Sequence, residues 1–155
     1  MPSYKIHLLG GAVTYLLLAK LASTFHTFSI PEHLLLLAFT LFGSIFPDID
    51  IGSRMRTLFL LSVAIISPLA LAAQKSYFFI GLGAASILFL LLIKHRSITH
   101  HLWFIVLLPI LCTGLILSRS WSHHIIVLSI CIFFIAGALS HRLLDFGPRW
   151  FFSKK

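Results

Sequence analysis

The chain has 155 residues, of which 59% are hydrophobic and 10% charged, with a mean hydropathy of +1.02. Soluble domains carry about 25% charged residues, so this composition excludes a water-soluble globule, and its abundance of Leu, Ile, Val and Phe excludes disorder. Twelve Lys and Arg against four acids leave a net charge of +8, which in so apolar a chain points to basic loops facing anionic lipid headgroups, not to nucleic acid.

A membrane-crossing helix needs about 20 predominantly apolar residues, within a range of about 17–25. In chain order, runs near 7–25, 31–46, 57–73, 77–93, 102–118 and 124–141 qualify as spans. The first begins like a signal peptide, with Lys5, an apolar stretch and then Ala22 and Ser23. Its apolar run continues to Phe25 and five more spans follow, so it reads as a retained helix. The second is separated from the first by Ser29 to Glu32 and is stopped by Pro47. Only Gln74 to Ser76 separate the third and fourth, which predicts an antiparallel hairpin. Arg119 to His123 divide the fifth from the sixth. The expected fold is all-α: a polytopic membrane protein with about six transmembrane helices in one bundle, forming a single integral membrane domain over 1–155.

Six spans put both termini on one side, together with the 47–56 and 94–101 loops. Nine of the twelve basic residues fall there, and Lys20, Lys75 and Arg119 fall on the other side. The positive-inside rule makes the nine-residue side cytoplasmic. The expectation is a multi-pass protein of the inner membrane with cytoplasmic N- and C-termini.

Four polar stretches interrupt the apolar background, and the alternation of spans brings all of them to that same side. They are His7, Pro47-Asp48-Ile49-Asp50, His95-Arg96-Ser97-Ile98-Thr99-His100-His101, and Ser140-His141-Arg142-Leu143-Leu144-Asp145. The run from Leu34 to Phe46 has 13 residues, about 20 Å of helix in a hydrocarbon core about 30 Å thick. Unless Ile30 to His33 extend that helix, Asp48 and Asp50 lie at or below the headgroup boundary. Ionisable groups at such depth are expensive and mark functional sites, or else pair with one another. Asp–Arg pairing with Arg96 or Arg142 is the structural alternative.

His141 and Asp145 are four apart, so on a helix they share a face and can close on one ion. His95 and His100 are five apart and converge only if the chain turns near Ser97, with Thr99 as the N-cap of the fifth span. An extended Asp48-Ile49-Asp50 would send its carboxylates to opposite faces unless the segment curls. Imidazole and carboxylate without thiolate suit zinc, manganese or iron.

The remaining polar and small residues read as structural. His26, His33, His123 and His124 are interfacial. Trp103, Trp121, Trp150, Tyr4 and Tyr77 form aromatic belts. Cys112 and Cys131 are packing residues. Gly10, Gly11, Gly81 and Gly83 allow close helix approach. His101 is either a spare ligand or an interface residue.

The order of these motifs resembles the YdjM-like family: an early His, G-x-x-x-PD-x-D (Gly43 to Asp50), HR-x-x-TH (His95 to His100) and SH-x-x-LD (Ser140 to Asp145). That family is described as membrane-bound, metal-dependent hydrolases of the inner membrane, some under LexA control. By this resemblance His7, Asp48, Asp50, His95, Arg96, His100, His141 and Asp145 carry the site. The chain departs from the family pattern at Ile51, where a His is frequent, at Ser97, where Gly is frequent, and at His101, where Ser is frequent. A ligand is therefore either missing or supplied by His101. The PD and HR/H features are also distantly similar to zinc-dependent phospholipase C and P1-type nucleases.

The functional expectation is a metal-dependent hydrolase at the cytoplasmic face, acting on a phosphoester or other lipid-like substrate. His7, Asp48, His95, His100, His141 and Asp145 are the expected ligands of a divalent transition metal, zinc first, with manganese or iron as alternatives. Asp50 is the expected general base or an orienting group, and Arg96 the holder of an anionic substrate group. The expected partner is a membrane lipid or lipid-linked substrate, with no nucleic acid. Two competing readings are a metal or proton transporter, and a non-catalytic membrane protein with an internal His/Asp/Arg network.

Overall fold

Long apolar runs free of internal charge form helices here because a helix satisfies every backbone N–H and C=O within its own segment. The computed structural model describes residues 4–50, 101–119, 121 and 123–147. Four α-helices lie among them: α1 (Tyr4–Ala22), α2 (Ile30–Ile45), α3 (Leu102–Arg119) and α4 (His124–Phe146). A 3-10 segment, Phe46–Asp50, continues directly from α2. Among the described residues, three segments are long and apolar enough to cross a membrane: Tyr4–Ala22, Ile30–Asp48 and His124–Phe146. The third and fourth expected spans, 57–73 and 77–93, lie outside the described residues. The chain divides into two compact units, Met1–Pro47 with His100–Lys155, and Asp48–Thr99. All four helices belong to the first.

Helix α1 lies three residues earlier than the expected 7–25, and two other boundaries differ from the sequence reading for a local reason. Helix α2 begins at Ile30 and not beyond it, because Pro31 is tolerated in the first turn and the Glu32 carboxylate accepts from the Ser29 N–H and hydroxyl, both at 2.7 Å. Ile30 to His33 therefore do extend the helix, and Asp48 lies at the end of a full-length crossing segment. Helix α4 runs five residues past His141. It stops at Gly147, whose positive φ of 62° favours glycine and whose N–H donates to the Leu143 carbonyl at 2.9 Å.

Within the first unit, α4 packs on α1, α2 and α3, and α1 also packs on α2. The tightest crossing joins α2 to α4 through two glycines. A methyl group on Gly43 would overlap the Phe134 carbonyl, and one on Gly137 would overlap the Thr40 carbonyl. Such reciprocal small-residue contacts let two backbones touch where lipid provides no hydrophobic drive for association. Gly11 brings α1 in by the same means, against the Ser44 side chain. Helix α3 joins through its first turn, where Phe104 and Ile105 are buried and the Phe104 ring stacks on Phe46 at 6.4 Å.

The outward faces are apolar. Leu16 and Leu17 of α1 are 65% and 67% exposed, and Leu111 and Leu115 of α3 are similarly open. A soluble protein does not present such continuous apolar faces, whereas hydrocarbon solvates them. The buried set is correspondingly polar for its size, including His7, Thr40, Ser44, Ser140 and His141.

Candidate metal centre

The start of α1 and the ends of α2 and α4 meet at one end of the first unit, and their polar residues meet with them. Helical spacing places His141 and Asp145 on the same face of α4, one turn apart. His141 Nε2 lies 3.2 Å from Asp145 Oδ2, and His7 Nε2 of α1 lies 3.4 Å from Asp145 Oδ1. The two imidazoles stack, with ring centroids 4.0 Å apart and planes inclined by 23°. All three groups are removed from solvent: His141 is 0% exposed, His7 1%, and the Asp145 side chain 4%.

The second nitrogen of His141 sets its tautomer. Its Nδ1–H donates to the Ser44 carbonyl of α2 at 2.8 Å. In the neutral ring this leaves Nε2 with its lone pair aimed at a carboxylate oxygen. Two lone pairs facing each other in a buried site repel unless a proton or a cation sits between them. A ligating His that donates its other N–H to a backbone carbonyl is the usual arrangement around a protein-bound metal.

The geometry suits an ion. Two ligand atoms each about 2.0–2.1 Å from a tetrahedral centre lie about 3.3–3.4 Å from each other, close to the two N···O separations observed. Among the described residues, both ring nitrogens of His7 and Asp145 Oδ1 are buried without a hydrogen-bond partner. Each orphaned group costs about 1–3 kcal/mol, and a shared cation would relieve the set. The donors, two imidazoles and a carboxylate, match zinc, manganese or iron and give no thiolate for softer metals.

The hydroxyls nearby are committed elsewhere. Ser44 donates to the Leu41 carbonyl, Ser140 to the Gly137 carbonyl and Thr40 to the Leu36 carbonyl, each at 2.7 Å. They bond within their own helices and are not arranged as nucleophiles against the imidazoles.

Of the residues expected from the sequence, His7, His141 and Asp145 come together here. Asp48 is half-buried in the 3-10 segment, which curls where an extended stretch was the alternative, and its backbone belongs to the second unit. The Asp50 side chain, His95, Arg96 and His100 lie outside the described residues, as does Thr99. His101 is exposed at the start of α3; its carbonyl accepts from Phe104 and Ile105, and its ring stacks on Trp103 at 6.5 Å.

Sequence reasoning did not single out Gly43 and Gly137 as a crossing, nor the Ser44 carbonyl as the partner of His141. A backbone carbonyl leaves no mark in a sequence. The glycines could have been found by noting that each precedes a site motif by three or four residues on its own helix: Gly43 before Pro47-Asp48, and Gly137 before His141.

Comparison with curated proteins and with solved structures gives no match. The model of the YdjM inner membrane protein family matches residues 1–152, nearly the whole chain. The apolar helices, the lipid-suited outer faces and this match agree: the chain is an integral membrane protein and belongs to the YdjM inner membrane protein family.

Proposed function

We propose that the protein is a multi-pass, membrane-bound metal-dependent hydrolase whose site lies at the cytoplasmic face, where both termini also lie. The observation that carries this reading is the buried His7–Asp145–His141 group, with His141 locked by Ser44 so that Nε2 faces inward. An ion-binding role explains why two imidazoles and a carboxylate are gathered, buried, where three helices meet.

His7, His141 and Asp145 would hold a divalent transition metal, zinc first, with manganese or iron as alternatives. Asp48 follows Ser44 by one helical turn along the chain, and His95 and His100 belong to the HR-x-x-TH stretch; these three are the further proposed ligands. When bound, such an ion lowers the pKa of water towards neutrality and polarises a phosphoryl oxygen. Asp50 would accept the proton released in hydrolysis or orient a ligating imidazole. Arg96, permanently charged, would grip two oxygens of an anionic group through its fork of N–H donors. The proposed substrate is a lipid or lipid-linked phosphoester, because a membrane-embedded site meets such molecules by lateral diffusion.

The test begins with metal content. Protein purified in detergent without chelators should carry a transition metal, and His141→Ala should weaken metal affinity by more than the about 10–100-fold typical of losing a supporting residue around the ligands. Wild type, Asp48→Asn and Arg96→Lys are then assayed against phospholipid and lipid-linked phosphate panels with zinc or manganese. Metal-dependent turnover by wild type and its loss in both variants is the expected result. Folded wild type that binds no metal and turns over nothing would leave an imidazolium–carboxylate network and overturn the enzyme.

A further inference from the structure

We infer that Gly11 is a positioning residue of this centre: its missing side chain sets how far α1 carries His7 in towards Asp145 and His141. The inference rests on the metal-centre reading above and adds the contact that completes the donor set.

The three donors arrive by two routes. His141 and Asp145 share α4, and the His141 Nδ1–H is tied to α2 through the Ser44 carbonyl. These two are in place once α2 and α4 have packed. His7 comes on α1. Its ring stacks on His141, and both its nitrogens are buried without a hydrogen-bond partner among the described residues. With no hydrogen bond there to fix its depth, the packing of α1 fixes it. Helix α1 has two buried residues, His7 and Gly11. They are four apart, about 6 Å along the axis and about 40° round it, so the face that carries the donor also carries the contact.

That contact is with atoms that cannot give way. A methyl on Gly11 would lie 2.8 Å from Ser44 Cβ and 2.6 Å from its hydroxyl oxygen. The Cβ is set by the backbone of α2 and does not rotate, and the hydroxyl already donates to the Leu41 carbonyl at 2.7 Å. Carbon atoms in contact rest at about 3.5–4.0 Å, so α1 would have to withdraw by about 1 Å. An imidazole–metal bond of about 2.0–2.1 Å holds within about 0.2 Å, and His7, one turn away, would be pulled out of reach. Gly10 supplies the contrast. A methyl there would meet Leu144 Cδ1 at 2.6 Å, but that atom ends a side chain 39% exposed, which can swing towards lipid. Two adjacent glycines on one helix therefore differ in what a methyl would displace.

The test uses the full chain in nanodiscs of zwitterionic lipid. Zinc affinity is measured by chelator competition, and the coordination of cobalt(II) is read from its visible absorption. Wild type, Gly10→Ala, Gly11→Ala and the double variant Gly11→Ala with Ser44→Gly are compared. Gly11→Ala should lose about 10–100-fold in zinc affinity and alter the cobalt spectrum, while Gly10→Ala keeps both. Ser44→Gly removes the obstructing Cβ yet keeps the carbonyl that holds His141, so the double variant should regain affinity and spectrum. That recovery carries the inference even if Gly11→Ala by itself fails to fold. Wild-type affinity in Gly11→Ala, an equal loss in Gly10→Ala, or no recovery in the double variant would each overturn the inference and leave the metal centre standing. A wild type that binds neither metal overturns the centre and this role with it.

Discussion

The two ends of the first unit use the same side chain in opposite ways. At one end His7 and His141 are stacked, buried and turned towards a carboxylate. At the other, His33 is half-buried, its Nδ1 lies 3.1 Å from the Tyr15 hydroxyl, and its ring sits edge-on to Phe28 at 5.8 Å. His26 packs edge-on to Phe28 and His124 stacks on Trp121. That end behaves as a membrane interface, where an imidazole finds a hydroxyl, an aromatic face and water, and needs nothing more. At the first end the imidazoles are closed off from solvent and face a shared carboxylate instead. Histidine content therefore says little about a membrane site; what matters is whether the helices close over it.

Closure depends on the glycine crossing, and breaking it should have the largest effect. Gly43→Leu and Gly137→Leu cannot be accommodated without separating α2 from α4, and both should fail to give monodisperse protein on size exclusion. Gly137→Ala, whose methyl overlaps backbone and not a movable side chain, should cost about 1–3 kcal/mol, read as a lower midpoint of thermal unfolding in detergent. Gly114 of α3 has open space where its Cβ would be. Gly114→Ala should be neutral or stabilising by up to about 1 kcal/mol, and an equal loss at both positions would remove the crossing from the explanation.

Next in size is the carboxylate between the imidazoles. Asp145→Asn preserves shape but removes the charge that both His7 and His141 face. It should lower metal affinity at least about tenfold, measured by chelator competition, while the α4 helix is retained by circular dichroism. If the group is instead an imidazolium–carboxylate network, the same change leaves uncompensated buried charge and should lower folded yield, by an amount corresponding to about 3–5 kcal/mol.

The smallest effects should come from the interfacial end. Tyr15→Phe deletes one half-exposed hydrogen bond and should cost about 0.5–1.5 kcal/mol. His33→Ala should be similarly mild, and metal content should not change in either. A loss of bound metal in His33→Ala would erase the contrast between the two ends.

Much of this architecture was legible in the residues. Hydrophobicity over a fixed bilayer thickness is a local property, so the helices at the first, second, fifth and sixth runs fall within a few residues of where the apolar stretches begin and end. The pairing of His141 with Asp145 followed from helical periodicity alone, and the alternation of spans already directed His7 to the same end. The apolar run by itself ends at His141, so the full length of α4 to Phe146 was less visible; burial of Ser140 and His141 against α1 and α2 accompanies the helix through that polar stretch.

The sequence by itself determined the solvent, the helices and the chemical repertoire of the site, because each depends on composition or on contacts four residues apart. The tertiary structure alone decided that His7 stacks on His141, and that Asp145 lies between their inward nitrogens. It alone gave the His141 Nδ1–H a partner, the carbonyl of Ser44. Those relations join residues far apart in the chain through backbone groups and glycines that have no distinguishing side chain. They exist only where Gly43 and Gly137 allow two helices to approach until backbone meets backbone, and at that separation the polar cluster is closed off from solvent.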